Sequence, residues 1–194
     1  MDGVGCMKLS VSTIESRDWL DSWKEIFEKN KGAINRQKSD AIKGCCYTLS
    51  EVPTESLTHY ALKLLSALML EKRFRIFTEE LKKEYRRWAT IHRSIVFEAM
   101  MPDLGIRADV YGRLLYRGSF ESSIGVVVEV DCSTIGVPNT LRDRLRHRSK
   151  IADVVIYVIP ERKLTAYRKN ILRTLVDEIW TDEMLIKEVM QVLF

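Results

Sequence analysis

Three carboxylates and one run of arginines carry the chemistry that is legible in this chain. Asp109 lies near the start of a strand-like stretch, and Glu129 and Asp131 close a second one, Ile124-Gly125-Val126-Val127-Val128-Glu129-Val130-Asp131. Side chains two apart on a strand point to the same face, so Glu129 and Asp131 are expected to project together. Pairing residues 106–116 with 124–131 as a hairpin, with Gly118 at the turn, returns Asp109 beside them. Three carboxylates then meet at one end of an otherwise apolar sheet. Hard oxygen donors of this kind suit Mg²⁺ or Mn²⁺. A metal held there would activate water and neutralise the charge that builds on a phosphate under attack. Glu98, on a strand predicted over residues 94–101, is a possible additional acid.

Next in the chain comes a basic stretch. Residues 142–150 contain Arg142, Arg144, Arg146, Arg148 and Lys150 against Asp143 alone, with His147 as a further donor. Arg142, Arg146, Arg148 and Lys150 are read here as surface groups that contact the phosphates of a nucleic acid. The plainer alternative for the acids is a set of solvated strand-end carboxylates paired with Arg107 or Arg142, and for the helix a solvated face. Other chemistries find less support. His59, His92 and His147 share no motif, Ser133 and Thr134 have no neighbouring His in sequence, and no glycine-rich phosphate loop occurs. Cys45 and Cys46 with His59 lack a familiar zinc spacing.

The elements needed to position the acids can be read from periodicity. Trp19, Leu20, Trp23, Ile26 and Phe27 recur as on one helix face, ended by Lys31-Gly32. Pro53-Thr54 starts a second helix, carried by Leu57, Tyr60, Ala61, Leu64, Leu65 and Leu68 to about Glu71. Thr78 caps a separate third one with Glu79 and Glu80 in its first turn. Those two helices read as a cover for the sheet or as a helix-turn-helix. A short strand over residues 45–49 is a further expectation. Residues 94–101, 106–116, 124–131 and 153–159 form the sheet, the last of them continuously apolar and so buried on both faces. Thr140 begins the basic helix. Leu164, Tyr167, Ile171, Leu175 and Ile179 trace a long amphipathic helix, and Thr181-Asp182 caps a last one.

Strand, hairpin, Glu-x-Asp, helix and strand together resemble the core of the PD-(D/E)XK nuclease superfamily, over roughly residues 95–160. The resemblance implies an α/β fold: a central mixed β-sheet flanked by helices, a restriction-endonuclease-like core with added N- and C-terminal helices. It implies metal ligation by Asp109 and Glu129. It also marks two departures, Ala108 where the family has Pro and Asp131 where it has Lys. Asp131 cannot supply the cation that helps position water and stabilise the transition state, and is read as a third ligand or a base. The implied activity is Mg²⁺- or Mn²⁺-dependent hydrolysis of DNA, duplex or branched, including recombination intermediates. The alternative is a catalytically inactive nuclease fold serving as a DNA-binding or scaffolding module.

Length and composition set the frame. At 194 residues with 46% hydrophobic content, one domain is expected: a mainly helical part over 1–93, the nuclease-like core over 94–160 and C-terminal helices over 161–194. No apolar run is long enough to span a bilayer and the first residues do not read as a secretory signal, so an intracellular, cytoplasmic protein is expected. A net charge of +4 permits a nucleic-acid partner. Cleavage of both strands of a duplex, and an apolar C-terminal helix face, predict a homodimer.

Overall fold

The structure is a computed structural model that describes residues 15–32, 56–85, 89–101, 106–132 and 139–193. The elements run in chain order as α1 (Glu15–Lys29), α2 (Leu57–Tyr85), β1 (Thr90–Met101), β2 (Ile106–Arg117), β3 (Glu121–Val130), α3 (Asn139–Arg148), β4 (Val154–Ile159), a short 3₁₀ turn (Glu161–Lys163), α4 (Ala166–Leu172), β5 (Glu178–Thr181) and α5 (Asp182–Leu193). The strands form one mixed sheet in the order β1-β2-β3-β4-β5. β1, β2 and β3 are antiparallel neighbours, whereas β4 joins β3 and β5 joins β4 in parallel. The fold is thus α/β, with helices on both faces. The predicted strand over residues 45–49 and the start at Pro53-Thr54 lie outside the described residues.

One face of the sheet carries Val110, Leu114, Ile124, Val126, Val128, Val154, Ile156 and Val158 against α1, α2 and α5. The other packs Val155, Tyr157 and Ile159 against Leu141 and Leu145 of α3 and Leu172 of α4. β4 is buried along its whole length, as its unbroken apolar sequence requires. Gly32 ends the first helix as expected, with φ +74°. At Gly112 a β-carbon would stand 2.5 Å from Leu70 Cδ2 and 2.9 Å from Phe74 Cε2. Its absence lets α2 lie close on β2.

Two expectations change. The helices foreseen before and after residue 78 are a single helix of 29 residues, and Thr78 is buried within it rather than capping anything. No Gly or Pro occurs between Leu57 and Tyr85 to break it. The buried positions Leu62, Ser66, Leu70, Phe74, Phe77 and Leu81 run straight through the supposed junction. The helix-turn-helix reading therefore has no turn to rest on. It is about 43 Å long at 1.5 Å per residue, enough to cross the whole sheet.

The long helix foreseen through Ile179 is the second. α4 stops at Leu172, and residues 178–181 form an edge strand instead. The Thr165 hydroxyl accepts the Arg168 N–H and caps α4. Asp177 then docks onto β4, its N–H donating to Val155 O at 2.9 Å and its carboxylate accepting the Val155 N–H at 2.7 Å. Of the expected stripe, Leu164, Leu175 and Ile179 pack on one apolar cluster whether carried by a turn, a loop or a strand, so their spacing imitates a single helix, whereas Tyr167 is exposed. At α5, Thr181 Oγ1 accepts the Met184 N–H and Asp182 accepts the Glu183 N–H, which supports the predicted cap.

Candidate active site

The acids gather where β2 parts from its neighbours. The β2–β3 ladder ends at Val110/Val128, while β3 continues beside β4 through Val130/Val158. One more step of the β2–β3 register sets Asp109 level with Glu129, which itself pairs with Tyr157. The β1–β2 ladder holds one register on either side, from Phe97/Val110 to Ala99/Ala108, and skips the position between them. That position belongs to Glu98 and Asp109. Glu98, Asp109, Glu129 and Tyr157 thus form a row across four strands.

Their side chains divide between the two faces of the sheet. Asp109 Oδ2 accepts the Val130 N–H at 2.8 Å, bridging the gap where the ladder stops. Its other contacts come from α2: Lys63 Nζ lies 3.4 Å from Oδ1 and His59 Nε2 lies 3.7 Å from Oδ2. His59 Nε2 is also 3.0 Å from Val130 O. Lys63 donates to Glu98, as does Arg107. Glu129 is met from α3, where Arg148 Nε donates at 2.5 Å and Arg144 Nε stands at 3.6 Å. Asp131 accepts from the Tyr157 hydroxyl and lies 3.8 Å from Arg168. Glu98 has φ +48°, left-handed for a residue with a side chain, and is 4% exposed.

Burial and charge set the protonation of this row. Burial pushes the Glu129 carboxyl up to about 7, helped by the Asp109 charge and opposed by Arg148 and Arg144. Burial acts upward on Asp109 too, but hydrogen bonds from His59 and Val130 and the charge of Lys63 outweigh it and hold Asp109 below its ordinary value. Tyr157 is pushed up by burial and then by its bond to Asp131, so it stays a hydroxyl donor.

The four predicted acids therefore lie at one end of the sheet, but each already holds a cation or a donor of the chain itself. Among the described residues no group of three or more His, Cys, Asp or Glu side chains converges on a point where it could hold a metal ion. Asp109 and Glu129 offer hard oxygens at one level of adjacent strands, but Asp109 is met from α2 and Glu129 from α3, so the two carboxylates do not converge as they stand. An ion shared between them would compete with Lys63 and Arg148 for their oxygens. Asp131 is turned to Tyr157 and Arg168.

The basic helix also divides. Arg148 is 5% exposed and spans from Glu129 to the Arg107 carbonyl, so it is not the surface group it was expected to be. Arg142 is half-buried, while Arg146 and Lys150 are exposed. Sequence reasoning passed over Lys63 and His59 as site residues and read Arg148 as a phosphate contact rather than a partner of Glu129, yet helical spacing carries a signal for all three. Leu141, Leu145 and Arg148 fall on one face of α3, and His59 and Lys63 stand one turn apart on α2. Tyr157 and Arg168 had no comparable signal.

No helix among the described residues is long and apolar enough to cross a membrane. No family model, curated protein or solved structure matches the chain.

Proposed function

We propose that this chain is a metal-dependent nuclease acting on DNA, with Asp109 and Glu129 holding Mg²⁺ or Mn²⁺. The observation that carries this reading is the row Glu98–Asp109–Glu129 at the point where β2 leaves β3, with Glu129 buried at a pKa of about 7 beside the Asp109 charge. Arg148 and Arg144 offset part of the cost of keeping that carboxylate dry, and a bound cation would offset more. The order strand, hairpin, helix, parallel strand agrees with the superfamily resemblance.

The bound ion would supply polarisation of water and countercharge for the phosphate. The chain's own groups do the rest. Val130 N–H and His59 fix the Asp109 carboxylate, and the buried Lys63 adds positive charge on the α2 side. Arg146 and Lys150, exposed on and just after α3, are the residues we assign to the DNA backbone, with Arg142 beside them. A homodimer belongs to the same reading, since two copies would cut both strands. Ile186 and Met190, half exposed on α5, are apolar groups that such a contact would cover.

One observation favours the second reading, a catalytically silent nuclease fold that binds or scaffolds DNA. Arg148 on Glu129 and Lys63 on Glu98 already neutralise the acids from within. The two readings separate on incubation of the protein with duplex, single-stranded and branched DNA in Mg²⁺ and in Mn²⁺. Cleavage that depends on the metal and is lost in Asp109→Asn supports the enzyme. DNA binding without cleavage supports the silent fold.

A further inference from the structure

We infer that the outer edge of β1 docks the β1 of a second copy, joining two five-stranded sheets into one across a twofold axis at Ser94. The inference names a surface for the homodimer of the reading above and needs none of its nuclease chemistry. β1 runs for 12 residues, about twice the usual strand length. Among the described residues β2 is the only strand it pairs with. Such an edge offers its outward N–H and C=O groups to a further strand. Natural edges are blunted by shortness, proline or lysine, and β1 has no Pro or Lys from Thr90 to Met101. The irregular step at Glu98 closes the template at one end. Residues 90–97 remain, in unbroken register with β2 and about 27 Å long at 3.4 Å per residue.

Side chains along this stretch alternate between the two faces of the sheet. Ile91, Ile95 and Phe97 turn to the α2 face and pack on the main core, yet each stays only half-buried. Arg93 shares that face and stands 3.6 Å from Glu71 of α2. Val96 packs on the opposite face beside Tyr111, and His92 and Ser94, both exposed, alternate with the α2-facing set. Leu64 and Leu68 lie on the flank of α2 that carries Glu71, seven and three residues before it, and are exposed as well. Half-covered apolar groups thus line the α2 side of the edge, where a further strand would complete their burial.

Self-complementarity favours a second copy over an unrelated strand. Antiparallel pairing about Ser94 sets Arg93 against the partner's Ile95, His92 against the partner's Val96 and Ile91 against the partner's Phe97. Apolar groups meet on the α2 face, no like charges stand directly opposite, and Arg93 keeps Glu71 beside it. An axis at Arg93 would oppose two arginines, and one at Ile95 would run the pairing into the irregular step at Glu98. The register is therefore set by the sequence itself. Ile186 and Met190 of α5, which follows β5 at the other edge of the sheet, are two groups against the roughly 20 a side of a standard interface. Residues 90–97 with Leu64, Leu68 and Glu71 beside them come much nearer to that size.

The test reads the mass of the full chain by light scattering at micromolar concentration and moderate salt. Wild type is expected to be a dimer. Ser94→Lys and Ser94→Glu each place two like charges opposite each other and should weaken dimerisation at least tenfold. An equal mixture of the two should regain a dimer holding one chain of each. Ile186→Lys with Met190→Lys should leave the wild-type dimer intact. Amide hydrogen exchange supplies a readout that needs no variant: outward N–H groups of residues 90–97 should exchange at least tenfold more slowly in the dimer than after dilution to the monomer. A monomeric wild type overturns the inference, as does a dimer that survives both Ser94 substitutions or is lost through α5 instead. Equal exchange in dimer and monomer gives the edge to another segment and also overturns it. A wild type that dimerises through β1 and cleaves no DNA leaves this inference standing and overturns the nuclease reading alone.

Discussion

Glu98 and Asp109 face each other at the one position where the β1–β2 ladder skips a step, and Lys63 from α2 reaches both. The sheet is regular on either side, so the irregularity is local. It takes two carboxylates out of routine strand pairing and hands them to a helix on one face, while Glu129 on the next strand is handed to α3 on the other. Asp109 and Glu129 thus remain close enough for one charge to raise the pKa of the other, although their hydrogen-bond partners come from opposite layers.

Arg148 is predicted to be a stability residue. Removing it leaves Glu129 buried without its closest counter-ion, which costs about 3 kcal/mol by the usual penalty for breaking a buried pair. The loss should be smaller at pH 5, where Glu129 takes up a proton instead. Arg146→Ala, on the exposed side of the same helix, should change stability by less than about 0.5 kcal/mol. Denaturant melts of Arg148→Ala and Arg146→Ala at pH 5 and pH 8 check this; equal effects of the two substitutions would contradict it.

Stability should fall as pH rises across neutrality. The folded pKa of Glu129, about 7, lies above its ordinary value of 4.5. Between those values the folded chain holds a proton that the unfolded chain has lost, so folding is favoured on the acid side and the advantage disappears as pH rises through about 7. The full shift corresponds to about 3 kcal/mol at 1.36 kcal/mol per unit. Asp109 shifts the opposite way, and its contribution is lost only in acid below its ordinary value of 3.8, outside this window. Tm measured at pH 5 and pH 8 should be higher at pH 5, and Glu129→Gln should flatten the difference. An unchanged difference in that variant would assign the pH dependence to another group.

Gly112 is predicted to admit no side chain. A methyl group there meets Leu70 and Phe74 of α2, so Gly112→Ala should force helix and strand apart at a cost of about 1–3 kcal/mol. Gly32→Ala should act through backbone strain instead, since open space surrounds Gly32 but its φ is positive. Thermal melts of both variants test the two causes; a fully stable Gly112→Ala would mean that α2 gives way easily.

DNA affinity should fall steeply with salt, and the exposed cations on and after α3 should carry part of that slope. Arg146→Ala with Lys150→Ala is expected to weaken binding and lower the log–log salt slope by roughly 2, without loss of Tm. Fluorescence anisotropy at several salt concentrations measures it. Unchanged binding would move the DNA surface away from α3.

The sheet was legible because its signals are short-range. An unbroken apolar run made β4, alternation around Gly118 made the hairpin, and the acids could be located at one strand end. Their partners were less so. Arg148 looked like one more arginine in a basic run, although its spacing from Leu141 and Leu145 places it on the buried face. Lys63 sits on a helix whose continuity through Thr78 was itself missed, because a threonine followed by two glutamates imitates a cap. β5 was hidden by apolar residues that suit a helix and a strand equally. The unusual backbone at Glu98 left no mark, since a glutamate in a strand carries no sign of its φ.

The most direct test of the central claim is a cleavage assay of the wild-type protein on duplex, single-stranded and branched DNA with Mn²⁺, beside Asp109→Asn and Glu129→Gln. Metal-dependent cleavage of at least one substrate, reduced by orders of magnitude in both variants, is the predicted result. No cleavage of any substrate by the wild type, with DNA still bound, would contradict it.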